Sequence, residues 1–393
     1  PTKSPSKEQD TFPLNDIDSE ATWMSSRHGL SIQILGGFNY HANYYKVREL
    51  ISQIRKYLIK YNPAWIIITL SSYSYGDRYI APHSVLTDMN IGSTTKTVGT
   101  QWRRAHPKHR LNNDRDLFQE LIDGFTTINI KVIAYMAGEG PAMLRNGEEK
   151  AFDYDNSSPY VDSCELCPKL LNTSSPFCRC APSVQQWKQY VLKKYNDDND
   201  ATLQRAFAEV IVAEYAKRYK ETLAGFFFDQ ELYMDKKQVY DVVRAHIPHA
   251  VMAFNQPQRL PLTQYNYPYE DCTFGMLSDP TNSLPSSCEN YSAIKAIEET
   301  SFPRGYFSVN GKHSLAHINV PTRSNWNDDQ IAWNNEKAAE WFSRVLRANG
   351  AWTWNVKLGR GREFSLIDRE DLRFLVIVYE GLKVGYVESQ DCL

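Results

Sequence analysis

The stretch Leu223-Ala224-Gly225-Phe226-Phe227-Phe228-Asp229 constrains the fold of this chain more than any other. It is apolar, mostly aromatic, and ends abruptly on a carboxylate. Helical periodicity precedes it over Ala201–Lys220 and follows it over Asp235–Ile247. An apolar run of this length between two helices reads as a fully buried strand of a parallel sheet. Asp229 then falls at the strand's C-terminal end, where parallel α/β folds place their chemistry. The competing reading makes Asp229 a cap for the next helix.

The rest of the chain repeats that alternation. Leu30–Leu35, Trp65–Leu70, Lys131–Met136, Ala250–Asn255 and Ala351–Val356 read as strands, and Tyr306–Val309 and Leu315–Val320 as two shorter ones. Helices are expected over Tyr44–Tyr61, Asp114–Ile128 (with Asp114 as its cap), Ser183–Lys194, Asp328–Asn349 and Ser365–Gly381. No Gly-x-Gly-x-x-Gly follows the first strand and no Walker-type Gly-Lys-Ser/Thr occurs. That removes the best reason to prefer a nucleotide-binding sheet, and a (β/α)₈ TIM-like barrel is expected. Residues 1–20 are polar and read as a flexible arm, 21–393 as the barrel, and 146–182 as a cysteine-rich loop insertion. Residues 256–304 carry no clear strand pattern.

Charge and cysteine usage narrow the setting. A formal net charge of −2 gives no electrostatic case for nucleic acid or an anionic membrane, and no apolar run approaches a membrane span. Sequons at Asn156, Asn172 and Asn290 point to a secreted or lumenal glycoprotein. Cys164, Cys167, Cys178 and Cys180 suit disulfides in an oxidising compartment better than a zinc knuckle, because the last pair has a single intervening residue. Cys272 and Cys288 are candidates for a further bridge, and Cys392 leaves the cysteine total odd. His313 and His317 have metal-like spacing only on a helix, whereas their stretch reads as strand. Neither a cofactor nor a catalytic metal is expected. The run Asn196–Asp200 reads as a turn with helix caps rather than a calcium loop. Arg103, Arg104, His106, Lys108, His109 and Arg110 make a basic patch, read either as a solvated loop face or as a contact for an anionic substrate group.

In a barrel, the strand ends gather one set of side chains: Gln33, Ser71 to Asp77, Glu139, Asp229 with Glu231, Asn255 and Trp354. Carboxylates and aromatic rings converging on a cleft suit a sugar, whose apolar ring faces stack on aromatics. Asp229 is the candidate nucleophile. Glu270 or Asp271 is the first choice for the acid, with Glu231, Glu139 and Glu289 as rivals. Gln33, Tyr73, Tyr75, His83, Glu139, Glu231, Asn255 and Trp354 are the substrate-binding candidates, with Trp354 and the Tyr73–Tyr79 tyrosines as the sugar platform. The expected partner is a carbohydrate or glycoconjugate.

Four segments carry a family resemblance. Trp23–Gln33 resembles the opening strand of glycoside hydrolase family 29, the α-L-fucosidases, and Ala64–His83 resembles its second strand and site loop. Leu223–Asp229 resembles the strand that carries the family's aspartate nucleophile, and Asn349–Val356 a late Trp-containing segment. The resemblance implies a retaining, exo-acting glycosidase with Asp229 as nucleophile. The family's first-strand histidine falls at Gln33, and its second-strand histidine pair at Ser71 and Ser72. Those replacements keep open an alternative, a non-hydrolytic carbohydrate-binding or repurposed barrel.

Overall fold

The computed structural model describes residues 17–32, 45–71, 80–88, 115–138, 182–229, 234–255, 268–275, 288–301, 303–309, 311–323, 330–359 and 365–382. Nine strands are described: β1 His28–Ile32, β2 Trp65–Thr69, β3 Lys131–Ala137, β4 Leu223–Asp229, β5 Val251–Phe254, β6 Tyr306–Val309, β7 Lys312–Leu315, β8 His317–Pro321 and β9 Ala351–Val356. Between them run α1 Val47–Tyr57, α2 Ser84–Asp88, α3 Leu117–Thr126, α4 Pro182–Tyr195, α5 Asp200–Ala206, α6 Ala213–Arg218, α7 Lys236–His246, α8 Cys288–Glu298, α9 Asn335–Arg347 and α10 Arg369–Gly381. A π-helical turn, Phe207–Val212, joins α5 to α6, so the expected Ala201–Lys220 helix is continuous but locally widened. Asp116 rather than Asp114 caps α3, its side chain accepting from the Gln119 N–H. Asn199 caps α5 in the same way, by accepting from the Thr202 N–H.

Seven strands form one sheet in the order β5-β4-β3-β2-β1-β9-β8, while β6 and β7 make a separate antiparallel hairpin. Every pairing in the larger sheet is parallel. The fold is thus α/β, consistent with a TIM-like barrel.

The two edge strands, β5 and β8, do not end the hydrogen bonding. Residues 271–275 lie between them. The Asp271 N–H donates to Met252 O of β5 at 2.8 Å, and the Leu315 N–H donates to Asp271 O at 2.8 Å. The Thr273 N–H donates to Leu315 O at 2.9 Å and the Asn319 N–H of β8 to Gly275 O at 2.8 Å. This short segment therefore completes the circuit of hydrogen bonds. Gly275 sits at φ +84°, and a Cβ there would stand 2.2 Å from His317 O, so only glycine fits the contact with β8.

Alternation along each strand sorts side chains into two cores. One face sends Leu30, Ile66, Ala134, Phe226, Phe228, Met252, Ile318, Trp352 and Trp354 outward against the helices. The other fills the lumen with Trp65, Ile67, Ile133, Tyr135, Phe227, Ala253, Cys272, Phe274 and Leu315. Fully burying each large side chain contributes about 1.5–3 kcal/mol. Gly29 of β1 faces the lumen beside Trp65, where a Cβ would lie 2.3 Å from the indole. The Trp65 Nε1–H donates to Thr353 Oγ1 at 2.8 Å, and Thr353 Oγ1 lies 2.8 Å from His317 Nε2. His317 Nδ1 in turn reaches Thr273 O at 3.0 Å. Since a carbonyl only accepts, His317 carries its proton on Nδ1 and Thr353 donates to Nε2. This chain ties four lumen residues together with a neutral imidazole.

Below the lumen sit Ala21 and Met24, with Ile17 and Trp23 packed against the same cluster. Of the stretch expected to be a flexible arm, residues 17–20 are described, and they dock here. The Ser19 hydroxyl donates to Asp271 O at 2.8 Å, and the Glu20 N–H to the Asp271 carboxylate at 3.2 Å. The cysteine-rich stretch 146–182 lies outside the described residues apart from Pro182, the first residue of α4. Cys272 is a free thiol buried in the lumen, which corrects the expected bridge to Cys288. No helix among the described residues is long and apolar enough to cross a membrane.

Candidate active site

The aromatic run that opened the sequence reading becomes β4. Phe226 and Phe228 face the helices, Phe227 faces the lumen, and the same alternation points Asp229 inward at the strand's C-terminal end. The ladder grips Asp229 from both sides. The Gly138 N–H donates to Asp229 O at 2.8 Å, and the Asn255 N–H donates to Phe228 O at 2.8 Å. The peptide groups around Asp229 are thus bonded to the residues following β3 and β5.

Two side chains then fix the carboxylate. The Tyr135 hydroxyl donates to Oδ2 at 2.5 Å, and the Asn255 amide donates to Oδ1 at 2.6 Å. Register explains both contacts. Ala137 is level with Asp229, so Tyr135, two residues earlier on β3, lies one lumen layer below and reaches up. Phe228 is level with Phe254, so Asn255 is Asp229's lateral neighbour. Asp229 is 7% exposed and Asn255 7%. A buried aspartate whose two oxygens each accept a hydrogen bond is held in one orientation.

Other lumen-facing polar groups stand at the same end of their strands. The Asn355 amide donates to Ser31 Oγ at 3.3 Å, and the Ala137 N–H donates to Ser71 Oγ at 2.9 Å. Ser71 therefore supports the end of β3, at a position where the resemblance places a sugar-recognising histidine.

The sequence-derived candidates divide sharply. Asp229 and Asn255 come together as expected. Gln33, Tyr73, Tyr75, Glu139 and Glu231 lie outside the described residues, as do all the residues of the basic patch. Trp354 does not reach the cleft, which corrects its assignment as a sugar platform. It is fully buried on the helix side, with ring centroids 5.4 Å from Trp333 and 5.4 Å from Phe374. Its neighbours Thr353 and Asn355 take the inward positions. A Trp-Thr-Trp-Asn strand offers either parity to the lumen, and the bulky rings went to the thicker outer core.

Glu270 and Asp271 are also displaced from the position expected of an acid. Asp271 pairs with Met252, which is level with Phe226, three residues before Asp229. That is roughly 10 Å of strand toward the opposite end of the barrel. There its carboxylate accepts from Arg244 Nη2 at 2.7 Å and from the Met252 N–H at 2.8 Å. Burial pushes the Asp271 carboxyl above the ordinary aspartate range, and the Arg244 guanidinium offsets part of that rise. Glu270 lies one residue earlier, accepting from Ser314 Oγ at 3.3 Å. The physical reason is that residues 271–275 are a barrel strand, so residues at its start belong to the N-terminal end.

His83 is buried among helices rather than in the lumen. Its Nε2–H donates to Val210 O of the π turn at 3.2 Å, and Nδ1 accepts from the Leu86 N–H at 3.2 Å. Burial holds its imidazole below the ordinary histidine range, against the pull of the Glu214 carboxylate. Tyr135 was not singled out from the sequence. Its signal was the alternation of β3, which puts Tyr135 on the same face as Ile133 and Ala137. Among the described residues, no cluster of His, Cys, Asp and Glu side chains is arranged to hold a metal ion.

No family model matches this chain, and no curated protein matches it. Its fold does match solved structures. An endo-fucoidan hydrolase of glycoside hydrolase family 107 superposes with a TM-score of 0.65 at 14% identity, covering 93% of each chain. A second family 107 endo-fucoidan hydrolase gives 0.69 at 15% identity, and there this chain covers 53% of the other protein's length. An α-L-fucosidase from Lactobacillus casei gives 0.51 at 12% identity, covering 91% of this chain and 96% of that one. At these identities the likeness is one of fold.

Proposed function

We propose that this chain is a retaining glycoside hydrolase that cleaves a fucose-containing glycan, with Asp229 as its nucleophile. The observation that carries the reading is the pair of bonds from Tyr135 and Asn255 that fixes the Asp229 carboxylate at the C-terminal end of β4. The fold likeness to fucoidan hydrolases and a fucosidase supplies the sugar class. An Asp229 oxygen attacks the anomeric carbon, and the bond from that carbon to the leaving oxygen breaks. The leaving oxygen takes a proton from a second carboxylic acid. Water then attacks the anomeric carbon and gives a proton to that same group, while the ester bond breaks and its electron pair returns to Asp229.

The second carboxylic acid is assigned to the loops beyond β3 and β4, to Glu139 or Glu231, which follow the strand ends in sequence. A retaining pair stands about 5–5.5 Å apart, a span that residues at the far end of the barrel do not suit. Secretion is part of the proposal and rests on the three sequons.

A second reading is endo-action on a polymer. It is favoured by the TM-scores of 0.65 and 0.69 with endo-acting enzymes. The test is hydrolysis of a panel of aryl glycosides, α-L-fucoside included, together with intact fucoidan. Wild type should cleave at least one, Asp229→Ala should cleave none, and azide should restore part of the aryl glycoside turnover. Release of aryl alcohol supports exo-action, and fucoidan shortening without aryl release supports endo-action. A wild type that binds the sugars and cleaves nothing would sink the hydrolase in favour of a binding protein.

A further inference from the structure

The two donors on Asp229 do more than orient it. This inference rests on the reading of Asp229 as nucleophile and adds which half of the reaction its neighbours serve. Tyr135 and Asn255 each donate to one carboxylate oxygen, at 2.5 and 2.6 Å, and neither contact depends on a flexible loop. Tyr135 lies within β3, and its carbonyl accepts the Leu70 N–H at 2.8 Å and the Ser71 N–H at 3.3 Å. Its ring sits edge-on to Phe274, 6.4 Å between centroids. Asn255 is joined to β4 through its own N–H.

Hydrogen bonds to a charged oxygen are stronger than those to a neutral one. In the first half-reaction Asp229 starts as an anion and loses its charge as the carbon–oxygen ester bond forms. The two donors therefore stabilise the starting state more than the transition state. In the second half-reaction water adds to the anomeric carbon, the ester bond breaks, and its electron pair returns to the carboxylate. Charge now develops on the oxygens that the donors already face, so both bonds strengthen toward the transition state.

We propose that Tyr135 and Asn255 are positioning residues that make Asp229 a good leaving group, so that the covalent glycosyl-enzyme breaks down faster than it would on an unsupported aspartate. The effect is a commitment to turnover rather than to binding.

The test uses the full chain and an activated dinitrophenyl glycoside of whichever sugar the wild type accepts. Such a substrate needs no acid in the first step. Tyr135→Phe keeps the ring and its contact with Phe274. It should lower kcat about 10- to 100-fold, the usual weight of one charge-assisted hydrogen bond. KM should fall in parallel, leaving kcat/KM within about threefold. Intact-protein mass spectrometry of quenched Tyr135→Phe should show a species heavier by one glycosyl unit, scarce in wild type. Asn255→Ser, which loses the amide donor at the other oxygen, should behave alike and serves if Tyr135→Phe does not fold. A drop in kcat/KM equal to that in kcat, with no glycosylated enzyme, would overturn the proposal while Asp229→Ala with azide rescue still upheld the nucleophile. A wild type that cleaves neither aryl glycoside nor fucoidan, or an Asp229→Ala variant that stays active, would instead remove the nucleophile reading and this proposal with it.

Discussion

The barrel has a buried aspartate at each end, and the two are held by different chemistry. At the N-terminal end Asp271 faces a guanidinium, two backbone N–H groups and the docked residues 17–24. At the C-terminal end Asp229 receives a phenolic hydroxyl and a carboxamide. A cation neutralises its partner and makes a joint. The hydroxyl and the carboxamide aim the Asp229 carboxylate into the lumen at the C-terminal end. The contrast separates a carboxylate that ties strands together from one placed to react, although both looked alike in sequence.

The sharpest way to break the comparison is to neutralise each aspartate in turn. Asp229→Asn should lower turnover by about a thousandfold or more, as removal of a nucleophile does, with a nearly unchanged denaturation midpoint. Asp271→Ala should do the reverse. Losing one partner of a buried ion pair costs about 3–5 kcal/mol, and kcat should stay near wild type. Urea melts and initial rates on both variants decide the matter. If Asp271→Ala abolished turnover without loss of stability, the assignment of the two ends would be overturned.

A further difference between the ends and the middle of the barrel is read by pH. His317 in the lumen and His28 at the start of β1 are each held near pKa 4 by burial. Because their folded values lie below the unfolded value of about 6.5, their contribution is complete above that pH and is lost as pH falls through the window from about 6.5 to 4. Each contributes on the order of 3 kcal/mol across that window. Stability should therefore fall between pH 6.5 and 4, and His317→Gln should flatten the slope in equilibrium urea titrations. Asp271 has the opposite sign: its raised value makes its own ionisation unfavourable in the folded state, so its contribution declines as pH rises past the ordinary aspartate range.

The smallest effect concerns Trp354. As an outer-core residue, Trp354→Phe should cost roughly 1–2 kcal/mol in stability and leave KM for the aryl glycoside unchanged. A KM that rose tenfold with stability intact would return Trp354 to the cleft.

These contrasts also mark what was legible in the chain. The parallel strands were, because runs such as Trp65–Thr69 and Phe226–Phe228 bury both faces and read as continuous apolar segments. Asp229 and Asn255 were, because a polar residue directly after such a run can only sit at a strand end. Which face a side chain took in a strand of alternating bulk was not, and Trp354 fell on the wrong side for that reason. The closing segment 271–275 was hidden as well. It contains Asp271, Cys272, Thr273, Phe274 and Gly275, too short and too mixed to show a period, and its hydrogen bonds go to Met252, Leu315 and Asn319 rather than to anything nearby. With that segment hidden, Glu270 and Asp271 read as candidate acids of the cleft rather than as residues at the N-terminal end. Tyr135 was visible as strand but not as function, since a tyrosine in a buried strand is most often core.

The pairing of β1 with β9 carries a consequence for how the chain is made. Ser31 and Asn355, bonded to each other, are 324 residues apart. At about 5–20 residues per second, a ribosome needs roughly 15 to 65 s between the two. Throughout that time Trp65, Ile67, Ile133 and Phe227 have no finished lumen to occupy. Until the last strand arrives that inner face cannot close, and transiently exposed apolar surface of this kind is prone to aggregate.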